Sequence, residues 1–283
     1  MATQKVFVLK KPIVYEGRNF FGRKAKLGFT PQSREMSGPW FWRGPSVSKN
    51  IHEIEPGIIQ GKNRRIELVN RIGTLSVYEH IGVLRFFNLV GGLEIGGIGW
   101  PPYDGGAIGL WKAIKPACVA EKMDVPLYSV SKTVRYEYKN MRGDRKAFTE
   151  IRPSSDGRLT LDITRSFSGR GTYRHVFQFP DNELLEHICH AKPLGCPSIL
   201  YHFSRVISPA FNWPHHKSIL WPQEHGKEDL LREIVHHATL DTLGALSLLC
   251  RDGYFVGHVV SECSGHEADV GAVLLANKYV VKI

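Results

Sequence analysis

The sequence predicts an α+β chain built as two domains of one plan. Strand-like runs are followed by helix, strand and helix, and that order appears a second time in the second half. At 283 residues the chain is long enough for two separate cores. With 42% of residues hydrophobic and 23% charged, the composition excludes a disordered chain. The expected division is a first domain at 1–125 and a second at 126–283, meeting near residues 122–132, with an insert in the second at about 191–221. No close internal repeat is visible, so the duplication is expected in structure rather than in sequence.

Strands are expected at Lys5–Leu9, Pro12–Tyr15 and Lys24–Phe29, with Glu16-Gly17-Arg18-Asn19 as a break. A Gly/Pro/Trp-rich loop follows near Ser37–Ser48. The spacing of Val77, Ile81 and Leu84 at i, i+4 and i+7 predicts a helix over about Thr74–Asn88. A Gly-rich strand-like segment, Val90–Trp100, leads through Pro101-Pro102-Tyr103-Asp104-Gly105-Gly106 into a helix over Ala107–Ile114. In the second half, strands are expected at Lys146–Arg152, Leu159–Thr164 and Thr172–Phe179, then a helix at Asn182–His190. After the irregular Ala191–Trp221 segment come a helix from Glu228 to Cys250, a strand Tyr254–Glu262 and a last helix after His266.

Composition narrows the function classes. No apolar run approaches the roughly 18–20 residues that a spanning helix needs, so no integral membrane segment is expected. The N-terminus shows no leader pattern, and the five cysteines form no CxxC pair. Both point to a cytoplasmic protein with reduced thiols. A net charge of +10 calls for an anionic partner. The basic residues lie in scattered groups, Lys62/Arg64/Arg65, Arg142/Arg145/Lys146 and Arg165/Arg170/Arg174, rather than along one face. That argues against nucleic acid and for a small phosphate-bearing substrate.

Two spacings could carry chemistry. His237 and Asp241 stand at i, i+4 in a helical stretch, so imidazole and carboxylate leave one face together. Glu79 and His80 are neighbours in the first helical stretch, about 100° apart around the axis. One can therefore bind a metal while the other approaches a metal-bound water. Two histidines and one carboxylate leave a fourth position open, as catalytic zinc requires. On spacing alone, such pairs are more often surface hydrogen bonds or exposed neighbours.

The order of these motifs resembles a known family. Val77-Tyr78-Glu79-His80-Ile81 is similar to the Thr-Val-Glu-His-Ile/Leu helix of the UDP-3-O-acyl-N-acetylglucosamine deacetylases of lipid A biosynthesis. Tyr103-Asp104-Gly105-Gly106-Ala107 resembles the family's Leu-Asp-Gly-Ser-Gly turn. Val235–Asp241 resembles its Arg-His-Lys-x-x-Asp helix, and Ser264-Gly265-His266 its Gly-Gly-His. The resemblance implies two β-α-α-β sandwich domains packed against each other, with a zinc site between them. It also implies His80, His237 and Asp241 as zinc ligands, Glu79 as general base, and His266 as the acid that protonates the leaving amine. His236 is a lesser candidate ligand.

The chain departs from that pattern beyond these five residues. Ala238 replaces a lysine, Ala245 an aspartate near the catalytic histidine, and Pro193 the threonine that assists at the oxyanion. The N-terminal pattern is shortened to Glu16–Gly22 and has lost its histidine. The segment Cys196–Trp221 replaces the family's acyl-chain passage with aromatics and cations. Lys192, Phe203, Arg205 and Phe211 are the candidate substrate-binding residues. The reading is a zinc N-deacetylase of an N-acetylated amino sugar, anionic and not necessarily acylated. The alternatives are the lipid A enzyme itself in a divergent lineage, or a catalytically silent metal-binding relative.

Overall fold

Strand alternation builds the sheets. In Gly257–Glu262, Val259 and Ser261 are buried while His258, Val260 and Glu262 are half-buried, the period-two pattern of a strand with one inward face. The structure, a computed structural model, describes residues 2–32, 40–43, 48–50, 59–62, 65–69, 73–139, 146–167, 171–194, 201–202, 206 and 218–283. Among these residues the strands form two five-stranded and three three-stranded sheets, and the fold is α+β.

One strand plan occurs twice. In the first half the five-stranded order is Ile13–Arg18, Lys24–Pro31, Leu93–Gly96, Trp40–Arg43, Ser48–Asn50. In the second it is Val134–Lys139, Lys146–Arg152, Gly257–Glu262, Leu159–Phe167, Gly171–Phe179. Both run antiparallel, antiparallel, parallel, antiparallel across the sheet. The small sheets match as well. Ala2–Leu9 lies between antiparallel Cys118–Val125 and parallel Leu89–Val90, as Leu127–Val130 lies between antiparallel Val280–Lys282 and parallel Tyr254–Phe255. We propose that the domain boundary falls at Pro126, between the last strand of one copy and the first of the next. The third small sheet, Ile59–Lys62, Arg65–Val69 and Thr74–Ser76, belongs to the first half alone.

Among the described residues, the helices that complete the fold are α1 (Tyr78–Gly82), α2 (Ile108–Ile114), α3 (Asn182–His190), α4 (Lys227–Leu246) and α5 (His266–Ala276). Acidic Glu228 and Asp229 occupy the first turn of α4, where the helix dipole favours them. From Ala238 to Leu246 every residue of α4 is buried, because α1, α5 and the strand Leu159–Phe167 all pack on it. A single hydrophobic cluster therefore joins both halves, from Phe29, Leu84 and Ile95 to Leu161, Leu243 and Val273.

The first long helix is shorter than periodicity suggests. Thr74–Ser76 is a strand paired with Arg65–Val69, and Val77 then turns through a left-handed conformation at φ 54° before α1 begins. Such a φ is strained for a β-branched residue. After Gly82 the chain tightens into a 3₁₀ turn, Val83–Phe87, which ends at Asn88 with φ 61°. Likewise α4 stops at Leu246 and Ser247–Leu249 is 3₁₀, with the Ser247 hydroxyl donating to the Gly244 carbonyl at 2.6 Å. The first hairpin is longer than expected: its strand continues to Arg18, and the Asn19 side chain accepts from the Phe21 and Arg23 amides to make the turn.

The halves meet where α1 crosses α4, at two glycines. A methyl group on Gly244 would fall on the backbone and Cβ of Glu79, and one on Gly82 on the Gly244 carbonyl and the Ser247 hydroxyl. Helix propensity alone would make Gly244→Ala stabilising by about 1 kcal/mol. Overpacking against backbone that cannot move costs about 1–3 kcal/mol. We expect overpacking to win, so that Gly244→Ala lowers the urea midpoint; a raised midpoint would show that the crossing is loose.

Candidate active site

Each of the five candidate side chains comes from a helix whose position the crossing sets. Glu79 and His80 lie on α1, His237 and Asp241 one turn apart on α4, and His266 is the first residue of α5. His80 turns toward His237, with ring centroids 6.1 Å apart. Ligating atoms of His80, His237 and Asp241 all lie within 4.8 Å of one another, and so do those of Glu79, Asp241 and His266. The two groups share Asp241. His266 Nε2 stands 3.3 Å from Asp241 Oδ1 and 3.6 Å from Glu79 Oε1.

Surrounding groups orient these side chains. The Ile66 amide donates to Glu79 Oε2 at 2.8 Å, so the strand Arg65–Val69 holds the carboxylate and leaves Oε1 toward His266. His237 Nδ1 lies 3.1 Å from the Ala191 carbonyl, which can only accept. The proton is therefore on Nδ1 and the lone pair of Nε2 faces the cluster. His80 stacks on Tyr103, with ring centroids 5.2 Å apart at 21°. Asp241 Oδ1 and His266 Nε2 face each other at 3.3 Å, yet both are buried without a hydrogen bond of good geometry.

Charge is arranged to match. Burial holds the His80 imidazole below its ordinary value against the opposing pull of Glu79, which keeps its lone pair available. Burial works to raise the Asp241 carboxyl, but His237, His266 and His80 together outweigh it and hold the group low. Burial works to lower His266, yet the Asp241 and Glu79 carboxylates reverse this and hold it well above the ordinary imidazole value. His266 is thus a protonated donor flanked by two acceptors.

With this geometry, the family described as UDP-3-O-acyl N-acetylglycosamine deacetylase matches residues 7–275 of the 283. The chain belongs to this deacetylase family. Its members are hydrolases on a two-domain α+β fold, which agrees with the repeated strand plan above. No curated protein matches the chain.

Against the family pattern, the structure answers one departure. Ala245 is buried on α4 where the family has an aspartate, and the sequence suggests that His266 lacks support. The structure supplies carboxylates from elsewhere. Besides Asp241 and Glu79, Asp269 lies one turn along α5, 1% exposed, accepting from the Thr149, Ser264 and Thr242 hydroxyls at 2.6, 3.1 and 3.3 Å. Behind it, the buried Arg165 guanidinium donates to the Ser261 hydroxyl at 3.0 Å and reaches the Ser264 hydroxyl at 3.5 Å. The sequence shows Arg165 only as one of a scattered basic group and gives Asp269 no role; the i, i+3 spacing of His266 and Asp269 is the available signal. Tyr103 stands where the family has leucine, and in sequence it is only part of a turn.

Of the other candidates, His236 and Lys192 do not join this cluster. His236 leaves α4 one position out of register, packs edge-on against Phe177 at 5.7 Å, and burial lowers it to about 4. Lys192 is half-buried, and its amide donates to Glu233 Oε1 at 3.1 Å. Phe203, Arg205 and Phe211 lie outside the described residues.

A pH dependence follows for the metal-free protein. His266 titrates higher folded than unfolded, so its contribution to stability is complete below about pH 6.5 and is lost as pH rises through the raised folded value. Urea midpoints taken from about pH 6 to pH 10 should fall further for the wild type than for His266→Gln. Parallel profiles would mean that the two carboxylates do not hold the proton on His266.

Proposed function

We propose that the chain is a zinc-dependent N-deacetylase acting on the acetamide of an N-acetylated amino sugar, nucleotide-linked or carried on a similar anionic scaffold. One observation carries the reading: side chains from both halves converge on a single buried point. His80 Nε2 or Nδ1, His237 Nε2 and a carboxylate oxygen of Asp241 would hold the metal. Two imidazoles and one carboxylate, with Asp241 Oδ1 lacking a well-formed hydrogen bond, suit a small dication with an open fourth position. The Glu79/Asp241/His266 group fits less well, because a ligand must offer a lone pair and His266 is held protonated. Zinc bound by His80, His237 and Asp241 would lower the pKa of water to about 7 and polarise the acetamide carbonyl.

The remaining steps fall to the protein's own groups. Glu79 Oε1, freed by the Ile66 amide's hold on Oε2, takes the proton as water adds to the acetamide carbon. His266 gives its proton to the nitrogen as the C–N bond breaks, so that acetate and the free amine result. Burial around both groups excludes bulk water and strengthens these interactions. The net charge of +10 supports an anionic substrate, and the mixture of aromatic and cationic residues in the Cys196–Trp221 sequence suits a base, sugar or phosphate.

A second reading, in which a 3-O-acyl chain is required, has one feature in its favour. A groove of about 510 Å³ runs along α5, lined by Ile59, Tyr136, Val270, Leu274 and Leu275. Each methylene buried in such a groove is worth about 0.8 kcal/mol. A comparison of kcat/KM for acylated and unacylated acetamido-sugar nucleotides separates the two. We expect the unacylated compound to be turned over at least as well, and a preference of orders of magnitude for the acylated one would establish the second reading.

Four variants test the chemistry. His80→Ala, His237→Ala and Asp241→Ala should each lose the zinc that the wild type carries at one per chain; full occupancy in all three would refute the assigned ligands. Glu79→Gln should keep zinc while amine release falls by about 10²-fold or more, and a wild-type rate would move the base elsewhere.

A further inference from the structure

Attack and departure are provided for by Glu79 and His266, but the tetrahedral oxyanion between them needs a hydrogen-bond donor of its own. The hydroxyls nearest the cluster on α1 and α4 are committed. Thr239 and Thr242 donate to the Val235 and Ala238 carbonyls at 2.7 and 2.9 Å, and Tyr78 pairs with Ser247 at 3.1 Å. The segment Ala191–Leu194 borders the site, but its Ala191 carbonyl is taken by His237, and Pro193 has neither N–H nor hydroxyl to give.

Tyr103 meets the requirement. Its ring lies against the face of His80 and is only 9% exposed. Its backbone amide donates to the Arg18 carbonyl at 2.9 Å, two prolines precede it, and Gly105 at φ 97° follows in a left-handed turn that a side chain would strain. Phe20 closes its outer edge at 5.7 Å, and Trp100 stacks on Phe20 at 5.1 Å. The ring is therefore fixed before substrate arrives. A phenol keeps its proton at neutral pH, so the Tyr103 hydroxyl is available as a donor.

We propose that the Tyr103 hydroxyl donates a hydrogen bond to the oxyanion formed on the acetamide oxygen, making Tyr103 a catalytic residue of this chain; the inference rests on the deacetylase reading. As water adds to the carbonyl carbon, the π pair moves onto oxygen, where Tyr103 donates without transferring its proton. On collapse the pair returns, the C–N bond breaks, and the nitrogen takes the His266 proton.

The test uses the zinc-loaded protein, an acetamido-sugar nucleotide, and a methylphosphonamidate of the same amino-sugar nucleotide as tetrahedral analogue. Tyr103→Phe keeps the ring stack and removes only the hydroxyl. It should lower kcat by about 10²–10³-fold with KM little changed, and weaken calorimetric binding of the analogue by at least tenfold. Zinc content and affinity for the product amine should stay as in the wild type. An active wild type matched by Tyr103→Phe in both kcat and analogue affinity overturns the Tyr103 assignment alone. Zinc lost from Tyr103→Phe also overturns it, in favour of a role in holding His80. Tyr103→Leu, which removes the stack as well, should lose zinc affinity in addition; equal zinc affinity in both variants supports a role confined to the hydroxyl. A wild type that releases no acetate from any acetamido sugar overturns the deacetylase reading and this inference with it.

Discussion

The site depends on the close approach of two helices. At Gly82 and Gly244 the backbones of α1 and α4 come within a distance that admits no side chain. Glu79 and His80 are thereby set against His237 and Asp241, although 156 or more residues separate them in the chain. Each pair is delivered by its own half of a duplicated fold, and neither cluster of ligating atoms is complete within one half. The helix with the shortest regular stretch, α1, is also the one that starts from a strained residue, Val77. A misplacement of about 1 Å there can cost 10²-fold in rate, which gives a physical reason for fixing α1 so firmly between the small sheet and α4.

The halves share a strand plan, and their additions differ in purpose. The first carries the small sheet Ile59–Ser76, whose Ile66 amide orients Glu79 and whose strands pack on α5. The second carries the segment after α3, whose Ala191 carbonyl sets the tautomer of His237. The inserts of a duplicated fold thus supply the groups behind the reactive side chains, while the common plan supplies the crossing. That division explains how the chain departs from its family at Pro193 and Ala245 and still presents a protonated His266 and an oriented Glu79. The supporting charges for His266 come from Asp241 and Glu79, and the Ile66 amide holds Glu79 in place.

The sequence was most informative where one residue type does one job. The i, i+4 pair on α4, the Glu-His neighbours and the glycine before His266 all lie where their spacing puts them. The helices α2, α3 and α4 and the strands Lys24–Pro31, Lys146–Arg152 and Leu159–Phe167 follow from periodicity and turn residues. Elements whose pairing decides their form were less legible. Thr74–Ser76 has the apolar spacing of a helix but gains a strand partner in Leu68, and Cys118–Val125 shows its alternation only against Ala2–Leu9. Tyr103 and Asp269 were illegible for a related reason: a phenol in a turn and an acid in a helix acquire meaning from what lies across from them.

The central claim is that residues of both halves hold one metal ion, and anomalous diffraction at the zinc absorption edge tests it most directly. The account predicts a single peak within about 2.0–2.2 Å of one nitrogen of His80, of His237 Nε2 and of an Asp241 oxygen, with Glu79 and His266 outside bonding distance. A peak bound by residues of one half only, or by Glu79 and His266 in place of the two imidazoles, would contradict it.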